Sequence, residues 1–369
     1  MHIDYAARQD KLRQITGVDA VILAPGANLF YFTGLEFHLS ERPTLVIVTP
    51  DGGLSLIIPQ LEMPKLHQRP DLEARAFSWT DTEGSAGAFR QAVEELGLRG
   101  KMLGVDGLTV RVSEWLAFQA VDSSLKVSAV ERQIIRVLAH KSPEEVEAMR
   151  QAVRLSEAAL ERLLGWVQPG MTERQIATRL GEELNALGSH GNAFEPLIQT
   201  GPNSALPHGM ITERALQKDE FLLIDYGGRY EGYPADITRT FCLGTPSAEM
   251  QRIYDTVRAA NEAGIKAAGP GVPMGAVDKA AREVIRAAGY GEYFIHRTGH
   301  GLGLNGHELI PQIAEGVTDL LEPGMAFTVE PGIYVPGLGG VRIEDNVVIT
   351  ESGVDVLTSF PKQQLVLKR

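Results

Sequence analysis

The 369-residue chain has one cysteine, Cys242. No internal disulfide can form, and a reducing, cytoplasmic compartment suits that usage. Basic residues are in deficit, 35 Lys and Arg against 47 Asp and Glu, for a formal charge of −12. That sign repels phosphate backbones and anionic lipid, so neither nucleic acid nor a membrane is an expected partner. Long apolar runs are missing too: Leu45 to Val48 and Phe221 to Ile224 fall far short of the roughly 20 residues a bilayer span needs. Residues 1–16 mix Asp4, Arg8, Asp10, Lys11 and Arg13 among apolar residues, with no continuous apolar stretch of a secretory signal. A soluble cytoplasmic protein is the expectation.

What is present is length, glycine and a change of regime along the chain. At about 150 residues per domain, the length suggests two domains. Of 39 glycines, 13 fall in residues 1–180 and 26 in 181–369, which points to the second half for tight turns and close backbone approach. The first 130 residues alternate strand and helix. A helix is expected from Tyr5 to Ile15, and strands over Asp19 to Ala24, Thr44 to Thr49 and Leu54 to Ile58, the last two joined by an Asp51-Gly52-Gly53 hairpin. A helix over Ala86 to Leu96 and a strand over Met102 to Val105 follow. The second regime starts near Val130: Ser142-Pro143-Glu144-Glu145 carries a capping serine, a first-turn proline and a glutamate that closes a capping box, predicting a helix to about Leu164.

Spacing also discloses a faint internal repeat. Pro169-Gly170 precedes Ile176, Leu180, Leu184 and Leu187, ending at Gly188; shifted by 101 residues, Pro270-Gly271 precedes Val277, Ala281, Ile285 and Ala288, ending at Gly289. Each helix is followed by acidic strands, Phe221 to Phe241 and Ala326 to Ile349. Two related halves facing each other would line one cleft.

The chemistry sits in those strands. Leu222-Leu223-Ile224 ends in Asp225, and eleven residues later Asp236 opens a second strand. The second copy offers Phe327-Thr328-Val329-Glu330 and Val341-Arg342-Ile343-Glu344 as an adjacent pair. Carboxylates gathered beside apolar runs repel one another and resist desolvation unless cations lie between them. His300, in Thr298-Gly299-His300-Gly301-Leu302-Gly303, adds an imidazole on what reads as an irregular loop. Four carboxylates and one imidazole suit two divalent ions with two carboxylates bridging; the oxygen-rich set favours Mn²⁺, with Co²⁺ or Zn²⁺ possible by affinity. A metal pair polarises a carbonyl and activates water, so hydrolysis is the simplest chemistry. Any one of these residues alone is weak evidence; their joint recurrence is not.

These stretches resemble the metallopeptidases with the pita-bread fold, the family of Xaa-Pro dipeptidase (prolidase), aminopeptidase P and methionine aminopeptidase. The resemblance rests on Ile224-Asp225-Tyr226-Gly227-Gly228, Asp236 to Phe241, Thr298 to Gly303, Glu330-Pro331-Gly332-Ile333-Tyr334 and Arg342-Ile343-Glu344-Asp345. Gly201 to His208 and Tyr31-Phe32-Thr33-Gly34 are similar to the proline-directed branch. The resemblance implies an α+β protein: a small α/β creatinase-like domain over residues 1–134, then a pseudo-twofold pita-bread catalytic domain over 135–369. It also implies the roles. Asp225 would hold one metal, His300 with Glu330 the other, and Asp236 with Glu344 would bridge. Glu330 would serve as general base to a bridging hydroxide, while His208 and His307 would steady the substrate carbonyl and tetrahedral intermediate. Arg342 would orient a bridging carboxylate or meet a substrate carboxylate. Asn305-Gly306 and Asn346 depart from the family's usual pattern and bear on substrate preference.

The expected activity is Xaa-Pro dipeptidase, on small peptides and as a homodimer. The alternatives are aminopeptidase P acting on longer peptides and, from another class, a non-catalytic binding protein on the same fold. A dipeptidase needs a cation for the free proline carboxylate, with Arg342, Arg239 and Arg42 as candidates. Two patterns carry little: Gly301 to Gly306 fits G-x-G-x-x-G without a following helix, and His307-Glu308 begins H-E-x-x-H but reaches Pro311. Cys242 and the Phe30-Tyr31-Phe32 cluster read best as core.

Overall fold

In the first 138 residues, apolar residues come in unbroken runs, Ala-Val-Ile-Leu and Leu-Val-Ile-Val, as strands covered on both faces require. The structure, a computed structural model, describes residues 3–51, 53–363 and 366–367. It divides into two units, Met1–Leu138 and Ala139–Arg369. In the first, a six-stranded sheet has the order Arg75–Trp79, Leu54–Pro59, Leu45–Val48, Ala20–Leu23, Met102–Val105, Lys126–Ala129. Helices Ala86–Glu95 and Val112–Val121 cover one face, with Phe89 and Phe118 edge to face over Ile22, Ile47 and Leu103. The expected hairpin pairs Leu45–Val48 antiparallel with Leu54–Pro59; Gly52 at its tip lies outside the described residues. Tyr31 and Phe32 are buried, as core residues should be.

The second unit repeats one motif. The capping box forms at Ser142 and Glu145, opening the helix Pro143–Trp166, and a second box at Thr172 opens Glu173–Ala186. Their counterparts are Ala248–Ala267 and Met274–Ala287. The first helix pair accompanies a four-stranded sheet in the order Val366–Leu367, Ile237–Leu243, Phe221–Tyr226, Leu197–Thr200. A five-stranded sheet follows the second: Gly306–Ile313, Gly299–Gly303, Ala326–Val329, Asp345–Thr350, Gly353–Val356. Asn261, fully buried on Ala248–Ala267, donates to the carbonyls of Val329 (2.8 Å) and Ile343 (3.3 Å), gripping the backbone one residue before each glutamate.

Two expectations about the strands need correcting. The strands leading to Glu330 and Glu344 are not the adjacent pair the spacing suggested. Ala326–Val329 pairs with Asp345–Thr350, while Gly332–Val335 and Gly339–Arg342 form their own two-stranded ribbon. Pro331 has no N–H to continue a ladder, so the chain leaves the sheet immediately after Glu330. Nor does His300 lie on an irregular loop: it belongs to the strand Gly299–Gly303, whose register shifts between His300 and Gly301. Its glycines serve close backbone approach. A Cβ at Gly299 would stand 1.8 Å from the Thr328 carbonyl oxygen, and one at Gly301 2.3 Å from that of Ile310.

Gly299→Ala is therefore expected to push apart the strands that carry His300 and Glu330 and to cost about 1–3 kcal/mol of stability. Urea unfolding of the purified variant against the parent measures it; equal midpoints would refute the close-approach argument.

Candidate metal centre

Antiparallel pairing of Phe221–Tyr226 with Ile237–Leu243 sets Ile237 opposite Tyr226 and Thr238 opposite Asp225, which brings Asp236 near Asp225 at one end of the sheet. The Asn346 side chain fixes the backbone of Asp236 from both sides, accepting from its N–H at 3.1 Å and donating to its carbonyl. On the other sheet, the Glu330 N–H donates to the Thr298 carbonyl at 2.8 Å, tying Glu330 to the strand of His300. Across the two halves, the Glu344 N–H donates to the Thr238 carbonyl at 3.1 Å, and the Thr238 hydroxyl donates to Glu344 Oε2 at 2.7 Å.

The side chains then converge. Asp225, Asp236 and Glu344 form one group with ligand atoms within 4.8 Å of one another, and His300, Glu330 and Glu344 form a second. A third unites Asp236, His300 and His307. His300 Nε2 lies 3.5 Å from Asp236 Oδ2 and 3.5 Å from Glu330 Oε1. Its Nδ1 is 3.0 Å from the Gly301 carbonyl, which places the proton there and leaves Nε2 as a free lone pair.

The electrostatics are unfavourable as they stand. Burial, reinforced by the neighbouring carboxylates, pushes Asp236 and Glu344 well above the ordinary carboxyl range. Burial outweighs the attraction of Arg342 at Glu330, whose carboxyl is raised to about 7. Burial and the adjacent His307 lower His300 to about 3, so the imidazole is neutral. Asp225 Oδ1 is buried with no hydrogen-bond partner among the described residues. Four carboxylates, one of them with an orphaned oxygen, and a neutral imidazole fit divalent cations, as the donor chemistry requires.

Arg342 does not stand free. Buried among these acids, it donates to Asp225 Oδ2, to the Tyr334 hydroxyl at 2.9 Å and to the Thr238 hydroxyl at 3.1 Å. Burial alone would weaken its charge, but Tyr334, Asp225, Glu330 and Glu344 together hold its pKa above the ordinary value. The direct carboxylate contact of Arg342 is with Asp225, not with either expected bridging residue; it reaches Glu344 only through the Thr238 hydroxyl. Arg239 is also unavailable to substrate: at 1% exposure it donates to Asp345 (2.7 Å) and to the carbonyls of Thr238, Glu344 and Phe360. Arg42, in the N-terminal unit, is bidentate on Asp81 at 2.9 Å.

A pocket of about 650 Å³ opens over the centre. His208 and His307 line it as expected, the His307 ring 3.5 Å from the ring of His300. So do Phe194, Leu197, His296 and Arg297, which sequence reasoning missed. Arg297 stands between His296 and the Thr298-Gly299-His300 stretch, so its place three residues before the proposed ligand was a usable signal. Among the described residues it forms no ion pair with a carboxylate, although its charge acts to lower the Glu330 carboxyl.

A duplicated fold with a buried carboxylate and imidazole cluster under a peptide-sized pocket defines a metallopeptidase. The chain belongs to metallopeptidase family M24, which matches residues 147–351, and residues 8–137 match the creatinase/prolidase N-terminal domain. The catalytic part has the family's pita-bread fold. The chain is 37% identical over 360 residues to an uncharacterized peptidase of Staphylococcus saprophyticus, covering 95% of this chain and 100% of that one. Among solved structures it is similar to a dipeptidase of Pyrococcus horikoshii (37% identity, TM-score 0.92, 98% and 100% covered) and a prolidase of Thermococcus sibiricus (33%, 0.94, 99% and 100%). It also resembles an X-Pro aminopeptidase of Thermotoga maritima (30%, 0.86, 99% and 100%). No helix among the described residues is long and apolar enough to cross a membrane.

The raised carboxyls give a prediction for the stripped protein. Groups held protonated by burial must ionise before they can ligate, so metal uptake releases protons and the affinity rises with pH through neutrality. Titration calorimetry of Mn²⁺ into chelator-treated protein, in buffers of differing ionisation enthalpy, should show that release. An affinity flat from pH 6 to 8 would contradict it.

Proposed function

We propose that the protein is an Xaa-Pro dipeptidase with a dinuclear centre, in which Asp225 would hold one divalent ion, His300 with Glu330 the other, and Asp236 and Glu344 would serve both. The observation that carries the substrate class is Arg297: a pocket arginine that forms no ion pair with a carboxylate among the described residues and lines the pocket together with His208 and His307. A dipeptide ending in proline brings a free carboxylate, which a guanidinium binds with charge-assisted hydrogen bonds. The apolar Phe194 and Leu197 offer the same pocket a surface for a substrate side chain or the proline ring. The names of the solved dipeptidase and prolidase relatives support the reading.

Divalent ions at such a site lower the pKa of water and polarise a carbonyl, the Mn²⁺ preference resting on the oxygen-rich donors. The rest falls to the chain's own side chains. Glu330, with 15% of its side chain exposed at the pocket floor, takes the proton of the attacking water and delivers it to the proline nitrogen as the C–N bond breaks. That nitrogen has no hydrogen of its own before cleavage, so the site needs no acceptor for one. His307 and His208 donate N–H to the carbonyl oxygen as charge develops on it. The chain works in solution on small peptides, as a cytoplasmic homodimer.

Hydrolysis of Ala-Pro, Ala-Pro-Ala and Met-Ala-Ser by the Mn²⁺-restored protein tests the assignment. Ala-Pro is expected to be the preferred substrate; preference for Ala-Pro-Ala would make it an aminopeptidase P, cleavage of Met-Ala-Ser alone a methionine aminopeptidase, and no metal uptake a non-catalytic relative. Glu330→Gln is expected to keep metal and lose turnover by about 10²–10⁴-fold. Arg297→Met should raise KM for Ala-Pro about tenfold or more, the loss of a charged hydrogen bond of about 1.5–3 kcal/mol, and change Ala-Pro-Ala less. Equal effects on both peptides would remove Arg297 from carboxylate recognition.

A further inference from the structure

Glu173 is fully buried, and among the described residues no lysine or arginine forms an ion pair with it. Five hydrogen bonds converge on its carboxylate instead. Oε1 accepts from the Thr200 N–H (2.8 Å), the Thr200 hydroxyl (3.0 Å) and Asn203 Nδ2 (3.0 Å). Oε2 accepts from the Thr212 N–H (2.9 Å) and hydroxyl (2.6 Å). Thr200 and Thr212 bracket residues 201–211, so one carboxylate ties together both ends of the segment that carries His208. Its middle is open: His208 is exposed, and Leu206 and Met210 are 58% and 84% exposed.

Beneath that open stretch sits Gln199, on the strand Leu197–Thr200, with no exposure at all. Both its Nε2 and its Oε1 lack a hydrogen-bond partner among the described residues. Gly209 is pressed against it, since a Cβ there would stand 2.1 Å from Gln199 Nε2. A wholly buried, unpaired amide is costly and rare, and a leucine of similar size would avoid the cost. The unused donor faces the backbone next to His208.

We propose that Glu173 and Gln199 are positioning residues for His208: Glu173 fixes the ends of the 201–211 segment, and the Gln199 amide hydrogen-bonds the backbone around Gly209 once substrate draws His208 over the pocket. The pairing absent from the free protein is then made where the imidazole has to be held. The kinetic part rests on the peptidase reading above; the structural part does not.

The metal-loaded full chain is the test system. Gln199→Leu is expected to unfold at the same temperature as the parent or higher, yet to lower kcat about tenfold on the best-cleaved of the three peptides, with KM changed less than threefold. In the double variant with His208→Ala, the two losses should not multiply, because both act through one imidazole. Unchanged kcat in Gln199→Leu, or multiplying losses, overturns the proposal. Hydrogen exchange without substrate tests Glu173: residues 203–211 should exchange faster in Glu173→Gln, or in Thr212→Val if the first variant does not fold, with metal content intact. Unchanged exchange overturns it. A parent protein that leaves Ala-Pro uncut defeats only the dipeptidase reading, because exchange needs no substrate and the kinetics follow whichever peptide is cleaved.

Discussion

Mutual repulsion among Asp225, Asp236, Glu330 and Glu344 is the constraint around which the second unit is arranged. Taking a carboxylate out of water costs several kcal/mol even after relaxation, and each further one at the same place adds a repulsive term. Arg342 is the cation buried among them, and its contacts go to Asp225, Tyr334 and Thr238. One guanidinium cannot neutralise four acids, so in the bare chain the deficit is met by protons, as the raised Asp236, Glu330 and Glu344 carboxyls show. Divalent ions would relieve the same strain and leave the oxygens free as ligands. The requirement for a cation is thus a property of the packed protein before any chemistry occurs.

Holding like charges together demands a rigid frame, and the frame consists of backbone contacts. Asn346 grips Asp236, Asn261 grips the residues before Glu330 and Glu344, and Thr238 bonds to Glu344 through both its carbonyl and its hydroxyl. Gly299 and Gly301 admit neighbouring strands to distances that no side chain would allow. Asn346 meets both polar groups of the Asp236 backbone. Its amide can both donate and accept, so it holds the N–H and the carbonyl of Asp236 together, which a carboxylate could not do.

The five proposed ligands stood out in the sequence through their joint pattern and the family motifs around them, such as an apolar strand ending in Asp225 and His300 framed by glycines. The fold class was legible from the motifs that resemble the pita-bread metallopeptidases, while the capping box at Ser142 and the 101-residue repeat of the helices gave only the change of regime and the duplication. Less readable was the use made of each arginine. Arg342, Arg239 and Arg297 are the same residue type close to the same motifs, but Arg239 is enclosed by Asp345 and three carbonyls, Arg342 is occupied by Asp225, and Arg297 faces the pocket. Partner choice depends on which strand lies opposite, and pairing is non-local. The separate ribbon of Gly332–Val335 with Gly339–Arg342 was missed for the same reason.

By itself the sequence determined the helices and the strand ends, because capping, periodicity and the missing N–H of proline act within a few residues. It also determined that acids would gather, since the same pattern occurs twice in one chain. Only the tertiary structure decided that His300 Nε2 would face two carboxylates at 3.5 Å, that His300 would lie in a strand, and that one buried carboxylate, Glu173, would gather both ends of the His208 segment. These depend on strands far apart in sequence meeting in register, where a shift of one residue would turn every side chain to the opposite face.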